Sequence, residues 1–221
     1  DTGSFNKIKL KASFSNAYLN GRDLRNTDLS YANLKNACLK DADISNAMLY
    51  KADLRGADLW GVNLKNTDCR NANMKRSILS WADMNETDLR NIKLDGAELT
   101  NTQLRNVNLK GADMKFANMR GSFLNESDMT GVDLNGTDLN RANLIKVNLS
   151  ESNLIYVNFR EANLNQADLS EVRLSKALIK GKNWFINLNK WKVKGAKEIQ
   201  ENYKVVEEDG NDNYRLEKIA D

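Results

Sequence analysis

Every fifth residue from Phe14 to Ile179 is apolar. Stepping by five through Leu19, Leu24, Leu29 and Leu34, the series continues without a phase slip over 34 positions. Most are Leu, with Phe, Ile, Cys or Met at the rest, as at Ile44, Cys69, Met74 and Phe159. Two places before each apolar residue sits a small or β-branched one, as at Ala32, Ala37, Thr67, Ser77 and Val107; Arg22 and Ile92 are the departures. The position between the two is nearly always Asp or Asn, giving units such as Ala52-Asp53-Leu54-Arg55-Gly56.

Neither regular element can use this pattern unbroken. On an α-helix five residues advance about 500°, so successive Leu side chains would lie roughly 140° apart and form no face. On a flat strand an odd spacing throws them onto opposite faces. The chain must therefore change direction once per unit: small residue in, Asp or Asn out, Leu in, then two residues that turn a corner. The second corner position is Gly at 21, 56, 61, 96, 111, 121, 131 and 136 and Asn at nine others. These are the residues that best tolerate positive φ. Corners at this interval wind the chain into coils that hydrogen-bond to one another at strand spacing, about 4.8 Å. The pattern predicts an all-β solenoid over residues 12–181 with Leu54, Leu94 and Leu134 pointing inward.

These units resemble those of the pentapeptide repeat family, whose pattern is a small residue, Asp or Asn, Leu or Phe, a polar residue, and often Gly. The resemblance implies a right-handed quadrilateral β-helix with four units per coil. Applied to 34 units it implies about 8.5 coils and a rod roughly 40 Å long.

The ends leave the pattern. Phe5, Ile8 and Leu10 predict an N-terminal cap over 1–11, and residues 182–221 predict a short helical C-terminal cap. Trp184, Leu188 and Trp191 lie at i, i+4 and i+7, the spacing of a helix that can lay one apolar face on the last coil. Ala196, Ile199, Tyr203 and Val206 predict a second helix over about 195–207, with a hairpin around Asp209-Gly210-Asn211-Asp212-Asn213 as the competing reading. The resemblance adds a further expectation for this segment, a homodimer formed through it, beside that of a plain intramolecular cap.

Composition removes more functions than it suggests. Of 221 residues none is His or Pro, so the side chain that most often carries protons near neutral pH is missing. No nucleophile sits beside a base in a recognised motif, a Leu-filled interior leaves no pocket, and no Cys/His grouping suggests a metal. No catalytic, metal-ligating or cofactor-binding residue is therefore assigned, and no cofactor is expected. Cys38 points outward and Cys69 inward, so no disulfide is expected, and two lone thiols fit a reducing cytoplasm. No apolar run approaches the roughly 20 residues needed to span a bilayer, and no membrane association is expected.

The formal charge is +3, which gives no strong bias toward nucleic acid, and direct nucleic-acid binding is not expected. The position before each inward Leu carries 14 acidic residues and the position after it 14 basic ones, so each face pairs an acidic column with a basic one. Along the rod the balance shifts: residues 1–120 hold 19 basic against 14 acidic side chains, and residues 121–175 hold 4 against 8.

Apolar residues at outward positions stand out against this surface. Cys38 and Ile78 share one column with Tyr18 and Leu178, and Trp60 and Trp81 stand at the adjoining corner about one coil apart. Cys38, Trp60, Ile78 and Trp81 form the candidate interaction patch, since exposed aromatic clusters mark contacts. Met48, Tyr50 and Tyr31 form a second cluster on the opposite face. The chain thus reads as a non-catalytic interaction or scaffold protein with an unidentified protein partner. The alternative, implied by the resemblance, is a DNA-mimic protein that binds DNA gyrase or topoisomerase and protects it from quinolones. The basic columns beside the acidic ones count against that alternative, as does the lack of a phase break for a projecting loop.

Overall fold

The computed structural model describes residues 12–219. The N-terminal cap expected over 1–11 lies outside the described residues.

From Ser13 onward, each outward residue before an inward Leu forms a parallel bridge with the residue twenty positions later: Ser13 with Asn33, Asn33 with Asp53, and so on to Asn158 with Leu178. Five-residue units and a twenty-residue repeat make four sides per coil. The hydrogen bonds repeat with it. The Leu54 N–H donates to the Asn73 carbonyl at 2.7 Å, and the Asn73 N–H donates to the Ala52 carbonyl at 2.9 Å. Each corner closes on itself, as where the Ala57 N–H donates to the Leu54 carbonyl at 3.0 Å.

Every second corner position from Asn16 to Lys176 has φ between 53° and 69°. Gly and Asn fill only part of this set; Tyr31, Arg76, Trp81, Phe116, Glu126 and Tyr156 adopt the same left-handed backbone. For such side chains the conformation costs on the order of 1–2 kcal/mol. Stacking on both neighbouring coils overrides this local preference.

The interior is filled. The inward residues from Leu24 to Ile179 are buried, with Leu54, Leu94 and Leu134 fully covered, and the small positions close the space beside them. At about 2 kcal/mol for each Leu-sized side chain, this column is the main stabilising term. Ile92, a departure in the repeat, is fully buried like its neighbours. At the small positions that are Thr or Ser, every hydroxyl but that of Ser122 donates to a backbone carbonyl. Thr67 Oγ1 donates to Ile44 O at 3.0 Å and Ser152 Oγ to Met129 O at 2.8 Å. The buried Ser122 hydroxyl is the exception and has no hydrogen-bond partner within the protein.

Beyond the repeats the chain forms β1 (Leu178–Lys180), α1 (Trp184–Lys190), α2 (Ala196–Asn202), β2 (Tyr203–Glu207) and β3 (Asn213–Lys218). The last side of the rod, β1, becomes the edge of an antiparallel sheet in the order β1-β3-β2. Strand β3 covers β1 in the register Ile179 opposite Tyr214, and Lys176 donates its N–H to the Leu216 carbonyl at 2.7 Å. Leu216 is fully buried, so the open end of the solenoid is both paired and sealed. Helix α1 buries Trp184 and Leu188, the face its spacing predicts. After it the chain returns to the ladder, with Lys194 bridging Asp168 in parallel.

The second helix is shorter than its spacing suggests. It ends at Asn202, and Tyr203–Glu207, expected to continue it, is a strand. Tyr203, Val205 and Val206 favour extended backbone, and the turn at Asp209–Asp212 returns β3 beside β2, with Val205 opposite Leu216. The hairpin supplies the strand that the exposed β1 edge requires, which a helix could not.

Candidate interaction surface

A filled rod presents chemistry only on its outside, and its two corner positions project furthest. Trp60 occupies the first position of its corner and donates its N–H to Asp58 Oδ1 at 3.3 Å. Trp81 occupies the second position of the same corner one coil on, with φ 65°, and its N–H donates to the Thr100 carbonyl at 3.0 Å. Both backbones are thus pinned while the rings remain outside, 43% exposed for Trp60 and 60% for Trp81. Ile78 is 41% exposed on the adjoining face and Cys38 is half-buried.

Cys38 and Ile78 do not touch along their column. The ladder runs Cys38, Asp58, Ile78, so a carboxylate separates them. Asp58 pairs with Lys40 at 3.1 Å. The surface at this corner is therefore two indole rings and an isoleucine beside a neutralised ion pair, with Cys38 across it.

The second cluster is compact. Tyr31 and Tyr50 meet edge to face at 5.5 Å between centroids. Lys51 Nζ lies 5.8 Å and 5.2 Å from these two rings, and the Arg70 guanidinium lies 5.6 Å from Tyr50. Met48 is exposed on the neighbouring face.

Two exposed aromatics escape a reading based on the column before each Leu. Phe116 is 65% exposed and Tyr156 is 59% exposed. Both sit at second corner positions of a single corner, and stepping by twenty through 76, 96, 116, 136 and 156 brings them out of the sequence.

The charged columns neutralise one another locally. Arg55 and Arg70 each grip the Asp two residues earlier through two nitrogens, with Nε to Oδ1 distances of 2.8 Å in both. These guanidinium contacts hold the Asp53 and Asp68 carboxyls below the usual carboxylate range, and a like contact with Arg25 lowers Asp23 to about 2. Burial pushes the Cys69 thiol well above its ordinary value. Among the described residues no group of three or more His, Cys, Asp or Glu gathers as metal ligands do, and no helix is long and apolar enough to cross a membrane.

Bridges every twenty residues, corners every five and a continuous Leu interior define a repeat solenoid of the four-sided kind. A profile of pentapeptide repeats matches eight copies along residues 11–46, 52–91, 82–116, 108–144 and 142–181, and the chain belongs to the pentapeptide repeat family. No curated protein matches it. Among solved structures it is similar to HetL, a pentapeptide repeat protein involved in heterocyst differentiation regulation in the cyanobacterium Nostoc sp. strain PCC 7120. That likeness has 26% identity over 76% of this chain and 89% of that one, with a TM-score of 0.37. A pentapeptide repeat protein of the Arabidopsis thaliana thylakoid lumen is 24% identical over 52% of this chain and 69% of that one, with a TM-score of 0.37. QnrB1, a plasmid-mediated fluoroquinolone resistance protein, is 13% identical over 84% of this chain and 97% of that one, with a TM-score of 0.34.

Proposed function

We propose that the chain is a non-catalytic interaction scaffold. Its rigid rod presents the Trp60 and Trp81 corner, with Ile78 and Cys38, to a protein partner in a reducing compartment. The observation that carries this reading is the pair of indole rings held outside, each on a residue whose backbone N–H is hydrogen-bonded. Ordered aromatic side chains offer large contact area at little entropic cost on binding, and such residues dominate interface energetics. The filled Leu interior supports the absence of catalysis, because it leaves no enclosed site where charge or a nucleophile is sheltered from water.

The gyrase-protecting alternative requires a continuous negative surface. Its support is weakened by the ion pairs that run down the faces, such as Arg55 with Asp53, Lys40 with Asp58 and Lys110 with Asp128. The test is affinity capture with mass spectrometry using the wild type and the Trp60→Ala/Trp81→Ala double variant. A partner retained by the wild type and reduced at least about tenfold by the variant is the expected result. Identical captured sets would remove the patch from the reading, and dose-dependent protection of gyrase from a quinolone would replace the reading altogether.

A further inference from the structure

One corner of the rod carries a pattern that complements itself when turned end over end. Its second positions run Gly56, Arg76, Gly96, Phe116, Gly136 and Tyr156 on successive coils, so a large side chain alternates with none. The Phe116 ring leans over its own Gly136, where an added Cβ would lie 2.7 Å from Cδ1. On the coil of Gly136, Asp133 and Asp138 flank the corner, one on each adjoining face, where Lys115 lies 3.8 Å from Asp133 and Arg120 3.3 Å from Asp138 in the same chain. Two turns of the corner earlier than Phe116, Arg76 projects beside Lys75. Lys75 pairs with Asp95 and Asp113, whereas Arg76 joins none of the ion pairs among the described residues.

We propose that this corner is the contact surface for a second copy of the chain, packed side by side and antiparallel about a two-fold axis between the coils of Gly96 and Phe116. That axis sets Arg76 opposite the partner's Gly136. There the guanidinium meets the ring of the partner's Phe116 and stands between the partner's Asp133 and the partner's Asp138. An arginine over an aromatic face with carboxylates on both sides is a favoured arrangement for a desolvated guanidinium. The same axis sets Lys93 opposite the partner's Asp113 and Asp95 opposite the partner's Lys115, and Tyr156 opposite the partner's Gly56. From the coil of residue 33 to that of residue 173, no two like charges are opposed. A two-fold contact must match itself in this way, and a shift of one coil passes the axis through a single coil and opposes like charges, Asp113 to the partner's Asp113 in one direction and Lys93 to the partner's Lys93 in the other. The contact runs along a narrow ridge, so it is small and the dimer weak, with dissociation at tens of micromolar on the order of small transient interfaces.

Sedimentation velocity from about 5 to 500 µM tests this, with circular dichroism confirming an unchanged fold in each variant. The wild type should self-associate reversibly and dissociate as salt rises. Arg76→Asp alone and Asp133→Lys/Asp138→Lys alone should each weaken association at least about tenfold, because like charges then meet across the axis. Basic residues already occupy the equivalent outward positions at Lys93 and Arg173, so the lysines fit the repeat. The triple variant, with every sign reversed, should recover association to within about threefold of the wild type. A monomer at every concentration overturns the proposal. So does a dimer insensitive to both reversals, which would join through another surface such as the C-terminal segment, or a triple variant as weak as its parents.

Discussion

The rod and its C-terminal seal solve one problem, an unpaired strand edge, in opposite ways. In the rod each coil covers the one before it with a copy of the same five-residue unit, so one rule serves from Ser13 to Leu178. At Leu178–Lys180 no next coil follows, and the edge is closed by a strand running the other way, drawn from residues 213–218. Repetition makes the structure of the rod nearly independent of local propensity, since even Trp81 and Phe116 accept left-handed backbone. The seal is built from elements that occur once. Its residues obey ordinary helix and hairpin preferences, and its position depends on particular contacts such as the Tyr203 hydroxyl accepting the Leu174 N–H at 3.0 Å.

The sharpest break of this contrast comes from a charge in each core. Leu94→Asp should cost more than about 4 kcal/mol, because a fully covered carboxyl has no partner there. The defect interrupts the stack in its middle, so loss of cooperative thermal unfolding is expected, followed by circular dichroism. Leu216→Asp should instead release β3 and leave the rod's melting transition in place. A rod that unfolds with the second variant would make the seal part of one cooperative unit and contradict the contrast.

Backbone strain gives a smaller and more local comparison. At Gly195 in the seal φ is 86°, and an added Cβ would lie 2.7 Å from the Leu169 carbonyl oxygen. At Gly131, a rod corner, φ is 65° and nothing lies within 4 Å. Gly195→Ala should therefore cost roughly 2–4 kcal/mol and shift the chain between α1 and α2. Gly131→Ala should cost about 1 kcal/mol, the ordinary left-handed penalty. Urea melts of the two variants measure the difference, and equal losses would show that the rod's corners are no more tolerant than the seal.

Acid should affect both regions in one window. Asp53 and Asp68 in the rod are held low by their arginines, and Glu217 in the seal is held low by Lys176 and Arg215. A carboxylate lowered in the folded state contributes stability above its unfolded pKa, near 4, and loses it as pH falls through the folded value. For Asp23 that value is about 2. The melting temperature should be flat from pH 7 to 5 and fall modestly from pH 4 to 2, each exposed pair contributing little. A fall that begins above pH 5 would contradict this assignment.

The smallest effect concerns reactivity alone. Cys69 fills an inward position and its thiol is held protonated by burial, whereas Cys38 is half-buried at an outward one. A thiol reagent at pH 8 should modify Cys38 in the native protein and reach Cys69 only after denaturation. Two reactive thiols in the native state would place the repeat out of register.

How much could be read from the sequence follows the same division. The 34 inward positions and the corners were legible because a period needs no knowledge of distant contacts. The patch residues were legible as outward positions, but the carboxylate of Asp58 between Cys38 and Ile78 emerges only when units twenty apart are laid side by side. The same holds for Phe116 and Tyr156, which look unremarkable in a single unit. In the seal, the spacing of Ala196, Ile199, Tyr203 and Val206 fits a helix. What turns Tyr203–Glu207 into a strand is β3, brought there by the unpaired edge of β1, a long-range demand that no local window contains.

The rod is built on stacking at a twenty-residue interval, and paired nitroxide labels test that interval most directly. With Cys38 and Cys69 replaced by Ser and Ala, labels at Asn63→Cys and Asp83→Cys should lie about one strand spacing apart, near 4.8 Å. Their continuous-wave spectrum should be strongly broadened, whereas labels at 63 and 73, on opposite faces, should show the sum of two isolated spectra. Broadening for the 63 and 73 pair, or none for 63 and 83, would contradict the stacked four-sided rod.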